Sequence, residues 1–134
     1  MSDFRFVTAN FAVSPQISLA DVSAAATQGF TLIINNRPDG EAPDQPAGAR
    51  IEQAARNAGL DYLWVPVLGR PTADQARAVR RAVETASGKV LAYCRSGTRS
   101  INTWAIGEAG RTSRDELIRL GAAAGYDLSA VLGQ

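Results

Sequence analysis

The chain contains no histidine, one cysteine and one methionine. Without an imidazole, neither Ser-His-Asp nor Cys-His catalysis is possible. One cysteine among scattered carboxylates is a poor zinc ligand set, so no metal and no cofactor is expected. One cysteine cannot close an internal disulfide either, which fits a reducing, cytoplasmic setting. No apolar run approaches the roughly 20 residues that cross a bilayer. Met1 to Asn10 has no charged segment leading into a long apolar one, so no signal peptide and no membrane partner are expected. An excess of one charge is also missing. Lys and Arg number 14 against 13 Asp and Glu, a net charge of +1, so nucleic acid is not an expected partner. Internal repeats and low-complexity tracts are absent.

What is present suits a packed core. The chain has 134 residues, 46% hydrophobic and 20% charged, and reads as one domain over residues 1–134. Phe4 to Val7, Phe30 to Ile34, Asp61 to Val67 and Lys89 to Tyr93 read as strands. Helices are expected from Leu19 to about Gln28, from Ala49 to Ala58, after Thr72 to about Ala86, from Ser100 to about Glu108 and from Ser113 to near Gly121. A short last helix is expected within Tyr126 to Leu132. Asn36 to Gly48, with three prolines and two glycines, is a loop. Strands alternating with helices imply an α/β fold, a mainly parallel central sheet flanked by helices. Ligands of such sheets bind at the carboxyl ends of the strands. Three loops meet there, carrying Asn35, Asn36, Arg37 and Asp39, then Arg70, then Cys94, Arg95 and Arg99. Arginines around a thiol point to a small anionic substrate.

Cys94-Arg95-Ser96-Gly97-Thr98-Arg99 lies between a strand and a helix. Loop amides and a helix N-terminus in that position make an anion nest. The field that holds an anion also stabilises a thiolate, so Cys94 is expected to alkylate at pH 6 far faster than a free thiol. Cys94 is the candidate nucleophile, with Arg99 closing the loop. Arg95, Ser96, Gly97, Thr98 and Ser100 are candidate substrate-binding residues, and Arg37 and Arg70 form a wetter rim. Asp39 is a candidate acid, although Pro38-Asp39-Gly40 is also a turn sequence.

The loop matches the rhodanese-type pattern Cys-Arg-x-Gly-x-(Arg or Thr). The wider chain resembles the bacterial phosphatase-like domain family of beta-lactamase-hydrolase-like proteins, which is also classed with sulfur transferases. The resemblance rests on Asn35-Asn36-Arg37-Pro38-Asp39-Gly40, on Tyr62-Leu63-Trp64-Val65-Pro66-Val67 and on Ala92 through Ser100, in order from about Phe11 to Ala123. It implies a dual-specificity-phosphatase-like fold and a functional link to a persulfide dioxygenase-like protein. Against the phosphatase pattern His-Cys-x5-Arg, Tyr93 replaces the histidine and the arginine comes one position early, with Ser100 in its place. After Val67 the chain has Leu68-Gly69-Arg70, where phosphatases carry an aspartate.

These departures place sulfur transfer first. Cys94 would take the outer sulfur of thiosulfate or a persulfide and pass it to an external thiol or another acceptor. The leaving group is a stable anion, so no strong acid is needed. The alternatives are a tyrosine- or dual-specificity-like phosphatase working through a Cys94 phosphoenzyme, and a non-catalytic anion or partner-binding module.

Overall fold

The computed structural model describes residues 2–133. Its elements run β1 (Arg5–Thr8), β2 (Phe11–Ser14), α1 (Leu19–Thr27), β3 (Phe30–Asn35), α2 (Gly48–Asn57), β4 (Asp61–Trp64), α3 (Ala73–Thr85), β5 (Lys89–Tyr93), α4 (Thr98–Glu108), α5 (Arg114–Ala123) and α6 (Ser129–Leu132). The sheet order is β1-β2-β5-β3-β4. Only β1 is antiparallel to its neighbour, and β2, β5, β3 and β4 run parallel. The fold is therefore α/β with a five-stranded, mainly parallel sheet between helices.

Alternation along β5 explains the two layers. Val90 and Ala92 face a cluster with Ile101, Trp104 and Leu117. Leu91 and Tyr93 face the opposite cluster with Val22, Ile33 and Ile51. Complete burial of side chains such as Leu91 and Ile33 is worth about 1.5–3 kcal/mol each. A one-residue slip would turn each of them to the wrong face, so the register of β5 is fixed on both sides. That register places Cys94 just beyond the carboxyl end of the central strand.

Three elements differ from the sequence expectation. β2 was not expected: Phe11–Ser14 is short and wholly buried, so it carries no alternation to read. β4 stops at Trp64, because Val65 and Val67 donate to the Asn35 and Asn36 carbonyls beyond the regular ladder. α4 starts at Thr98, so Arg99 is helical and the linker from Cys94 is only Arg95, Ser96 and Gly97. Among the described residues, no helix is long and apolar enough to cross a membrane.

Candidate active site

Four strand ends converge around Cys94. The Cys94 amide donates to the Ser14 carbonyl at 3.4 Å, and Gln16 N–H donates to the Arg95 carbonyl at 3.2 Å. Asn36 N–H donates to the Tyr93 carbonyl at 2.8 Å. The segment after Val67 joins through Arg99, whose Nη1 donates to the Val67 carbonyl at 2.8 Å. The three loops read from the sequence do meet. The fourth, after β2, went unseen along with its strand.

Gly97 takes φ +92, the left-handed region that suits glycine, and serves as the N-cap of α4 without a side-chain cap. That turn aims the Gly97 amide at the Cys94 sulfur, 3.1 Å away. Ser96 Oγ accepts weakly from the Thr98 amide at 3.4 Å and donates to Thr98 Oγ1 at 3.0 Å. Arg95 and Ser96 are exposed, and Cys94 is fully buried. The Ser100 hydroxyl points inward, buried and without a partner among the described residues.

Above the helix start lies a charge cluster built on Glu41. Arg99 grips it with both terminal nitrogens, each at 2.8 Å, and Arg37 Nε reaches it at 2.9 Å. Arg37 Nη1 also donates to Gln16 at 2.9 Å. The Arg99 hydrogen bonds lead in holding the Glu41 carboxyl down to about 2, with Arg37 adding to them against a burial penalty. Glu41 is thus an ionised partner and not a proton donor at neutral pH. The Arg99 guanidinium is held charged, above its usual range, first by Glu41 and further by the Cys94 sulfur. Arg99 thus interacts with both the Glu41 carboxylate and the Cys94 sulfur.

The other candidates fall differently. Arg37 is 4% exposed, so it is not on a wet rim; its guanidinium is enclosed by Glu41 and Gln16. Arg70 is exposed and makes no side-chain hydrogen bond among the described residues. Asp39 accepts the Gly48 amide at 2.8 Å at the start of α2. It lines a pocket of about 230 Å³ with Glu52, Tyr62 and Trp64 that does not include Cys94. Burial pushes the Tyr93 phenol well above its ordinary value, so the residue in the phosphatase histidine position stays neutral. A larger groove of about 540 Å³, between Leu63 and the Arg77–Arg81 face of α3, also excludes the sulfur.

Sequence reasoning missed Glu41, Gln16 and Tyr126. Glu41 follows Arg37 by four residues, but in a proline-rich loop that spacing implies no contact. Gln16 follows the unseen strand. Tyr126 comes from the far end of the chain and donates to the Ser96 carbonyl.

The profile of the family described as "Beta-lactamase hydrolase-like protein, phosphatase-like domain" matches residues 3–111. The beta-lactamase hydrolase-like protein of Xylella fastidiosa (strain Temecula1) is 42% identical over 125 residues, covering 91% of this chain and 29% of that protein. Its counterpart in Agrobacterium fabrum is 41% identical over 122 residues, covering 88% and 28%. The chain thus spans less than a third of the curated relatives it matches. A crystal structure of a candidate phosphatase from Neisseria meningitidis is 34% identical, with TM-score 0.87, over 97% of this chain and 94% of that one. Tk-PTP in its active form is 18% identical with TM-score 0.74, covering 97% and 93%, a likeness of fold alone.

Proposed function

From the premise that this chain belongs to the phosphatase-like domain family of beta-lactamase hydrolase-like proteins, we propose that it is a cysteine-dependent phosphatase acting on phosphoesters through a Cys94 phosphoenzyme. The sequence alone ranked sulfur transfer first. A family described as phosphatase-like and a relative described as a candidate phosphatase support the alternative better.

The observation that carries the reading is the Gly97 amide on the Cys94 sulfur at 3.1 Å, at the N-terminus of α4 and beside Arg99. An amide, a helix terminus and a guanidinium together favour the thiolate. The thiolate attacks phosphorus, the S–P bond forms and the ester P–O bond breaks. The leaving oxygen takes a proton from water, and a second water then cleaves the S–P bond, releasing phosphate and restoring the thiolate. Arg99 and first-turn amides of α4 would hold the phosphoryl oxygens.

Glu41 is ionised and Asp39 is bound at α2, so the reading uses no carboxylic acid. That favours a phenolate leaving group, whose conjugate acid has a pKa of about 10, over an alkoxide. Exposed Leu68, next to the Val67 whose carbonyl holds Arg99, offers an apolar contact for an aryl group.

The same lack of an acid favours a second reading, sulfur transfer through a Cys94 persulfide, because thiosulfate and persulfides expel stable anions. The test is aryl phosphate hydrolysis beside persulfide formation, with Cys94→Ser as blank. Cys94-dependent phosphate release and a phosphorylated cysteine in the quenched protein are expected. Sulfur added to Cys94 without phosphate release would overturn the first reading and establish the second.

A further inference from the structure

Tyr126 is not used by the chemistry above, and it lies outside the residues 3–111 matched to the family. It sits in the turn between α5 and α6, 9% exposed, with its backbone amide on the Gly121 carbonyl at 2.8 Å. The Arg5 guanidinium covers its ring at 5.3 Å from the centroid. Its hydroxyl donates to the Ser96 carbonyl at 2.9 Å.

That carbonyl and the Gly97 amide belong to one peptide unit, which is planar and rigid. The carbonyl edge is held by Tyr126, and the opposite N–H edge points at the Cys94 sulfur at 3.1 Å. Flanked by a glycine in a left-handed conformation, such a plate turns easily unless something holds it. Rotating it would remove the one amide that the sulfur receives among the described residues. We infer that Tyr126 is a positioning residue, whose hydroxyl locks the Ser96–Gly97 peptide so that its N–H stays on the Cys94 sulfur.

The surroundings agree. Any Cβ on Gly97 would overlap the Tyr126 hydroxyl, so the loop and the phenol fit only with glycine there. Burial pushes the phenol up, opposed by Arg5, so it stays protonated and can donate at neutral pH. The inference rests on the reading of Cys94 as a thiolate nucleophile.

The test is Tyr126→Phe, which keeps the ring and its Arg5 contact and removes only the hydroxyl. Val131→Ala, which trims the same C-terminal cluster without touching the loop, is the control for packing. Iodoacetamide alkylation of Cys94 is followed at pH 6 and pH 10, together with Tm. Tyr126→Phe is expected to alkylate about 5–10-fold more slowly at pH 6, the scale of one ordinary hydrogen bond of about 1 kcal/mol passed on to the Gly97 amide. At pH 10, above the usual thiol range, its rate is expected to meet wild type. With aryl phosphate, kcat should fall by a similar factor with KM little changed. Wild-type alkylation in Tyr126→Phe at both pH values overturns the proposal. So does an equal loss at pH 6 in Val131→Ala. A chain that turns over neither phosphate nor sulfur donors would defeat the functional reading, but the alkylation comparison would still decide whether the peptide is locked.

Discussion

Two loops meet at Cys94, and they are held by different forces. The one from Cys94 to Gly97 is short and set largely by the main chain: the Ser14 carbonyl, the Gln16 amide and the left-handed turn at Gly97 fix it between β5 and α4, and the Tyr126 hydroxyl adds a side-chain hold. The one spanning residues 36–47 is long and set by side chains. Asn35 accepts the Arg37 amide, Gln45 accepts the Glu41 amide, and Glu41 bridges Arg37 and Arg99. The first loop puts the nucleophile in place through strand register. The second brings charge to it through ion pairs that water, salt or a competing anion can loosen. Nucleophile and charge are thus assembled separately, and substitutions should separate them.

The largest effect is expected at the main-chain loop. Cys94→Ser should reduce turnover to the uncatalysed blank. The fold should persist, because serine fits the same space and its oxygen can accept the Gly97 amide. Calorimetry should show a Tm change of no more than about 3–5 °C, the equivalent of about 1 kcal/mol. Retained activity in this variant would remove Cys94 from the chemistry.

Next comes the residue shared by both loops. Arg99→Ala should lower kcat/KM by about 10²-fold or more, as the loss of a transition-state electrostatic contact does. Arg70→Ala, at an exposed arginine with no side-chain hydrogen bond among the described residues, should stay close to wild type. Equal losses in the two would mean that the anion binds at the rim and not at the start of α4.

Much of the first loop was legible in the sequence, and little of the second. Lys89–Tyr93 is a buried apolar run, and the residues after it have a composition that demands a tight turn into a helix. Local rules therefore located Cys94 and Gly97. Arg99 is helical and not loop, because the N-cap is Gly97, which caps without a side chain, so the Ser or Thr signal is missing at the cap position itself. The Glu41–Arg99 pair spans 58 residues. Nothing local marks Glu41, and its role exists only once β3 and β5 pair. β2 escaped because four buried residues carry no periodicity, and with it went Gln16 and the carbonyl of Ser14.

Glu41→Gln should act on the second loop alone. In the wild type, an incoming anion must compete with this carboxylate for both terminal nitrogens of Arg99. Removing its charge should lower KM for an aryl phosphate by about 3–10-fold, the scale of ~1 kcal/mol. The acid side gives an independent reading. The folded carboxyl lies at about 2, against 4.5 when unperturbed, so its contribution to stability is complete above about pH 4.5 and is lost as pH falls toward 2. Urea unfolding at pH 7 and pH 3 should therefore show a stability loss in the wild type that is smaller in Glu41→Gln. Identical pH dependence in the two would show that the bridge adds nothing to the folded state.

The smallest effect is expected from Asp39→Asn, where the competing roles of this residue separate. α2 begins after Ala47, which offers no side-chain cap, and Asp39 accepts the Gly48 amide in its place. Asparagine keeps an oxygen that can accept that amide and loses only the charge. A carboxylate at a helix N-terminus is worth about 0.3–1 kcal/mol, so Tm should fall by only a few degrees. A general acid contributes about 10²-fold or more, and asparagine cannot supply its proton. If Asp39 serves α2, kcat for an aryl phosphate should remain within about threefold of wild type while Tm drops slightly. The leaving phenolate then relies on water, and alkyl phosphates should turn over far more slowly than aryl phosphates in both proteins. If instead kcat collapses while Tm is unchanged, Asp39 must swing from Gly48 to the leaving oxygen. The second loop would then supply a proton as well as charge.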